Sequence, residues 1–162
     1  MRGVSVILVE VTTDEGITGI GQIHGAPLKE ICEWVHRLGE VVIGMNPLEH
    51  VAVWDKLFTL TCPRPGGFLA EDGLPAPLPR AARPQITAAI GGIDLALWDI
   101  KGKAAGMPIF RLLGGENRPV QAYATGGYYR NDGKPDDMAR EVASFVEKGF
   151  RAVKIKDGGQ TL

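Results

Sequence analysis

Ala89-Ile90-Gly91-Gly92-Ile93-Asp94-Leu95-Ala96-Leu97-Trp98-Asp99-Ile100-Lys101-Gly102-Lys103 forms the centre of the strongest helix in this chain. From Pro84 to Ala105 the residues Ile86, Ile90, Ile93, Leu97, Ile100 and Ala104 fall on one stripe, the 3.6-residue period of an amphipathic helix. Asp94 and Asp99 interrupt it. Asp99 stands four residues before Lys103, the spacing at which a helical ion pair forms, and Asp94 reads as a buried carboxylate bonded to backbone or arginine. One helix brings no converging third ligand, so these carboxylates read as structural and not as metal ligands.

Upstream, Val4 to Thr12 and Ile17 to Ile23 read as two strands joined by Thr13-Asp14-Glu15-Gly16, a hairpin. Leu28, Ile31, Cys32, Val35, Leu38 and Val42 predict a helix over Pro27 to Ile43, with Cys32 as a buried thiol on its apolar face. Asn46-Pro47-Leu48-Glu49 carries the marks of a helix start and predicts a helix to about Leu60 that buries Leu48, Val51, Trp54 and Leu57 or Phe58. Thr61 to Arg83 holds Pro63, Pro65, Pro75, Pro77 and Pro79 and reads as an irregular loop. Pro84 to Gly115 and the helices before it could build a core of their own.

Downstream the pattern changes. Val120 to Thr125 reads as a strand and Pro135 to Lys148 as a helix with Met138, Val142 and Phe145 inward and Gly149 as its stop. Phe150-Arg151-Ala152-Val153-Lys154-Ile155-Lys156 then reads as a second strand. Strand, helix, strand over this distance is a βαβ unit with parallel strands. Alternation places Lys154 and Lys156 on one face, with their ammonium groups starting about 7 Å apart. Neighbouring lysines disfavour each other's charge, and burial adds to that, so either could serve as a base. Alone, such a pair near a chain end is more often a solvated edge.

Composition narrows the field. Of 162 residues, 44% are hydrophobic and 23% charged, ordinary for a globular protein, and a net charge of −1 without a basic run argues against a nucleic-acid partner. No apolar run approaches the ~20 residues of a membrane helix, so no membrane partner and a cytoplasmic location are expected. Cys32 and Cys62 match no metal spacing. Gly19-Ile20-Gly21 with Gly25 imitates a dinucleotide fingerprint but lies inside a strand rather than at a strand-to-helix turn, which rejects it. His36 and His50 fall within helices and carry no functional reading.

Ala89 to Lys103, followed by Pro108-Ile109-Phe110-Arg111-Leu112-Leu113-Gly114-Gly115, resembles the signature of the mandelate racemase and muconate lactonizing enzyme family of the enolase superfamily. Thr12-Thr13-Asp14-Glu15-Gly16 with Gly19-Ile20-Gly21 resembles that family's N-terminal hairpin, and Gly149 to Lys156 its Lys-x-Lys strand. The resemblance implies an α+β capping domain (antiparallel hairpin plus helices) over 1–117. Residues 118–162 would then be the first βαβ unit of an incomplete TIM-like (β/α) barrel. It further implies a Mg²⁺-dependent enzyme that abstracts the proton alpha to a carboxylate, with Mg²⁺ stabilising the enediolate. The leading reactions are racemisation or dehydration of a hydroxy acid or sugar acid, with cycloisomerisation second.

Carried over by position, Lys156 would be the base, and Lys154 would depress its pKa and stabilise the enediolate. His24 would lie in the loop that closes over the site and helps choose a small carboxylate substrate. Tyr128, after the first barrel-like strand, reads as a substrate contact or as packing. Gln22 stands where many members carry Glu. The family's metal ligands and opposite-face base belong to later barrel strands, so no metal ligand is assigned here and the isolated chain is expected to be inactive. A homo-oligomer is expected of the complete enzyme. The competing expectation is a non-catalytic stand-alone capping module, or a subunit that needs a partner chain.

Overall fold

The computed structural model describes residues 5–62, 78–128 and 133–156. The chain divides into two compact units, Gly3–Glu116 and a second one running from Asn117.

In the first unit β1 (Ile7–Thr12) and β2 (Thr18–Ile23) form an antiparallel hairpin, with Ile7 opposite Ile23 and Thr12 opposite Thr18. The turn closes because Gly16 adopts a φ of +80° and donates to the Thr13 carbonyl at 3.0 Å, while the Thr13 hydroxyl accepts from the Ile17 amide. One face of the hairpin, with Val9, Gly19, Gly21 and Ile23, is buried; the other leaves Leu8 and Ile20 exposed.

The helices are α1 (Leu28–Val42), α2 (His50–Thr59) and α3 (Arg83–Ala104), and α3 touches both strands and both earlier helices. Its stripe of Ile86, Ile90, Ile93, Leu97 and Ile100 joins Val9, Ile23, Ile31, Leu38, Val53, Leu57 and Leu60 in one hydrophobic core. Helix and hairpin meet almost backbone to backbone. A Cβ on Gly21 would lie 1.9 Å from the Gly92 carbonyl oxygen, and one on Gly92 would lie 2.4 Å from the Ile23 side chain. Gly19 and Gly21 of the false dinucleotide fingerprint therefore serve close strand–helix approach.

Several expectations need correction. Asn46-Pro47-Leu48-Glu49 closes a turn: Asn46 Oδ1 accepts from the Leu48 amide and the Asn46 carbonyl from the Glu49 amide, so α2 starts at His50. With that frame Val53, Leu57 and Leu60 face the core at i, i+4 and i+7. Of the residues expected inside, only Leu57 is buried; Leu48, Val51, Trp54 and Phe58 remain exposed, the last two stacked with centroids 4.7 Å apart. Cys32 is only half-buried, its Sγ 3.8 Å from His36 Nε2. A 3₁₀ turn over Arg80–Ala82 runs into α3, so the expected loop ends earlier, and its residues 63–77 lie outside the described ones. Ala104 is exposed; Gly102 is buried instead, against the Ile109 side chain of the short helix α4 (Ile109–Leu112).

In the second unit β3 (Ala124–Thr125) and β4 (Val153–Lys154) pair in parallel around α5 (Pro135–Glu147). Pro135 opens α5, Asp137 accepts from the Lys134 amide at 2.9 Å, and Gly149 with φ +87° follows its last turn. Both strands are shorter than the sequence predicts. Val120 is 84% exposed and outside β3, and the ladder ends at Lys154, leaving Ile155 and Lys156 beyond it. Two short strands cover little of α5, so Met138, Val142 and Phe145 are half-buried.

Candidate functional site

The lysine strand is held by two ladder hydrogen bonds: the Ala124 amide donates to the Ala152 carbonyl at 3.1 Å, and the Gly126 amide to the Lys154 carbonyl at 3.0 Å. Lys154 is thus the last paired residue of β4, and the loop that starts at Gly126 is tied to its carbonyl. Strand C-terminal ends are where βα-type barrels place their chemistry. The Lys154 and Lys156 side chains are exposed, as is Tyr128. Lys154, Lys156 and Tyr128 belong to the same unit; His24, exposed after β2, belongs to Gly3–Glu116.

Between β3 and Tyr128 lie Gly126 and Gly127. Gly127 has φ +68°, a left-handed conformation that favours glycine, and its amide donates to Glu141 Oε2 of α5 at 3.1 Å. A Cβ on Gly126 would lie 2.6 Å from the Phe145 ring, and one on Gly127 would lie 2.9 Å from Met138 Sδ and 3.2 Å from Ile155 Cβ. The two glycines are pressed between α5 and the lysine strand. Glu141 was missed by sequence reading, although its signal was there: it shares the inward face of α5 with Met138, Val142 and Phe145, a charged residue within an apolar stripe.

The charged residues of α3 act structurally. Asp99 accepts from Lys103 Nζ at 2.8 Å and from the Ile20 amide at 2.9 Å, and these bonds hold its carboxyl below the ordinary value. Burial pushes the Asp94 carboxyl up, and the nearby His50 partly offsets this. His50 packs on Trp98 with ring centroids 4.3 Å apart, and its Nδ1 lies 3.1 Å from Lys101 Nζ. An ammonium only donates, so in the neutral imidazole Nδ1 accepts from Lys101 and Nε2 carries the proton.

Among the described residues no group of three or more His, Cys, Asp or Glu side chains is placed to hold a metal ion. The donors among the described residues therefore do not fit the Mg²⁺ that the resemblance implies. Among those residues no helix is long and apolar enough to cross a membrane.

Residues 1–114 match the family model of the mandelate racemase / muconate lactonizing enzyme N-terminal domain. The chain belongs to that family. A curated member, arabinonate dehydratase of Saccharolobus solfataricus, is 30% identical over 159 residues, covering 97% of this chain and 38% of that protein. D-galactarolactone cycloisomerase of Agrobacterium fabrum is 36% identical over 154 residues, covering 94% of this chain and 36% of its own. Among solved structures, a member of the enolase superfamily from Polaromonas sp. JS666 superposes with a TM-score of 0.72 at 34% identity, covering 95% of this chain and 37% of that one. This family member thus spans under two fifths of the length of these relatives. The antiparallel hairpin with its helices is the family's capping domain, and the parallel pair β3–β4 begins the barrel portion.

Proposed function

We propose that this chain contributes the capping domain and first βαβ unit of a sugar-acid dehydratase or cycloisomerase, with Lys154 and Lys156 as its acid–base pair. The proposed reaction begins with removal of the proton alpha to a carboxylate. The observation that carries the reading is the position of Lys154 as the last paired residue of a parallel strand, with Lys156 two residues beyond in a family member. Exposed amines suit substrate access, and a strand end gives the pair a fixed origin. Lys156 is assigned as base, Lys154 as the group that stabilises the developing enediolate, and Tyr128 as a substrate contact. The substrate class follows the relatives, whose names specify arabinonate and galactarolactone. Mg²⁺ would require donors that the described residues do not bring together.

The test is exchange of the alpha proton with solvent deuterium, followed by NMR on a panel of aldonic and aldaric acids. The 162-residue chain should show none. A longer chain that carries these residues together with the remaining barrel strands should exchange one of them, and Lys156→Ala in it should abolish the exchange. Exchange that survives Lys156→Ala removes the lysine from the role of base.

A second reading has its own support: among the described residues the hydrophobic core cluster lies between Val9 and Ile100, so the capping portion has the interior of a self-standing module.

A further inference from the structure

The β3 ladder ends at the Lys154 carbonyl, and the next amide, Gly127, turns away from the sheet. A buried amide needs an acceptor, and here it is a carboxylate from α5. The turn is determined from three sides: the Gly126 amide on the Lys154 carbonyl, the Gly127 amide on Glu141, and the Gly127 backbone against Met138 and Ile155. Ile155 is the residue between the two lysines. Removing the carboxylate would free the left-handed turn and loosen the hydrogen bond that ends the lysine strand.

We propose that Glu141 is a positioning residue for the lysine pair: by gripping the Gly127 amide it seats the Gly126–Gly127 turn on β4 and fixes where Lys154 and Lys156 stand at the strand end. The same grip sets the direction in which Tyr128 leaves β3. This rests on the reading of Lys154 and Lys156 as the acid–base pair, but its test needs no substrate. Glu141 touches no reacting atom in this role.

The experiment is NMR on the 162-residue chain, reading the amides of Gly126 and Gly127 and the side-chain ε-CH₂ signals of Lys154 and Lys156. In Glu141→Leu, hydrogen-exchange protection of Gly126 should fall by about tenfold, the scale of losing a charge-assisted bond. The lysine signals should move with it. Glu141→Gln, which keeps an acceptor oxygen, should restore both. Unchanged lysine signals in Glu141→Leu, or no rescue by Gln, overturn the proposal.

Should Glu141→Leu unfold the segment, Glu141→Asp decides, because it keeps the carboxylate but draws it back by one methylene from the Gly127 amide. Gly127, Gly126 and the lysine signals moving together in Glu141→Asp supports positioning; Gly127 moving alone overturns it. Failure of the lysine reading is distinguishable, because it shows as alpha-proton exchange that survives Lys156→Ala.

Discussion

Asp99 of α3 reaches across to the hairpin, its Oδ2 2.9 Å from the Ile20 amide, while Lys103 holds the same oxygen at 2.8 Å and donates its ammonium to the Thr18 carbonyl at 2.7 Å. Two residues one helical turn apart thereby join the helix to the outer edge of β2. The pair is partly exposed, so solvent screening keeps its contribution modest, about 0.5–1 kcal/mol. Asp99 titrates below its ordinary 3.8 in the folded chain, so its contribution is present above that value and disappears as pH falls through the folded one. Asp99→Asn should therefore lower stability near neutral pH, and the two proteins should converge in strong acid. Urea unfolding across that range checks it.

Close approach of β2 and α3 makes opposite predictions for two glycines. Gly21→Ala drives a methyl into the Gly92 carbonyl and should cost roughly 3 kcal/mol or more, because backbone must move. A methyl on Gly39, inside α1, would meet nothing within 4 Å, so Gly39→Ala should stabilise by about 0.5–1 kcal/mol through helix propensity. Thermal unfolding of both variants measures the contrast.

The frame of α2 is equally testable. Leu57 is 1% exposed and Val51 60% exposed. Leu57→Ala should cost about 2–5 kcal/mol, whereas Val51→Ala should change stability by no more than about 0.5 kcal/mol. A large loss of stability in Val51→Ala would show instead that the Leu48–Val51–Trp54 face packs inward.

Residues 3–116 contain the core cluster and should unfold as one cooperative transition when expressed alone. A gradual transition would show that the capping portion depends on the remainder of the chain.

Much of this fold was legible in the sequence because its signals are local. The α3 stripe, the hairpin turn at Gly16, and the stop of α5 at Gly149 each follow from a short run of residues. The α2 face was not, because the Asn46 side chain satisfies the Leu48 amide in a turn just as it would in a helix cap, and only the packing of Val53 and Leu57 fixes the frame. At the site, alternation identified Lys154 and Lys156, and tertiary pairing decided where the ladder stopped. Glu141 escaped because its partner is a main-chain amide fourteen residues away, which no side-chain motif announces.

The Asp99–Lys103 pair also settles how this hairpin can grow. Any incoming strand that paired along the Thr18–Ile20 stretch of β2 would have to evict a carboxylate from the Ile20 amide and an ammonium from the Thr18 carbonyl. That flank is closed to recruitment by charge, so enlargement of the hairpin into a wider sheet is directed to β1.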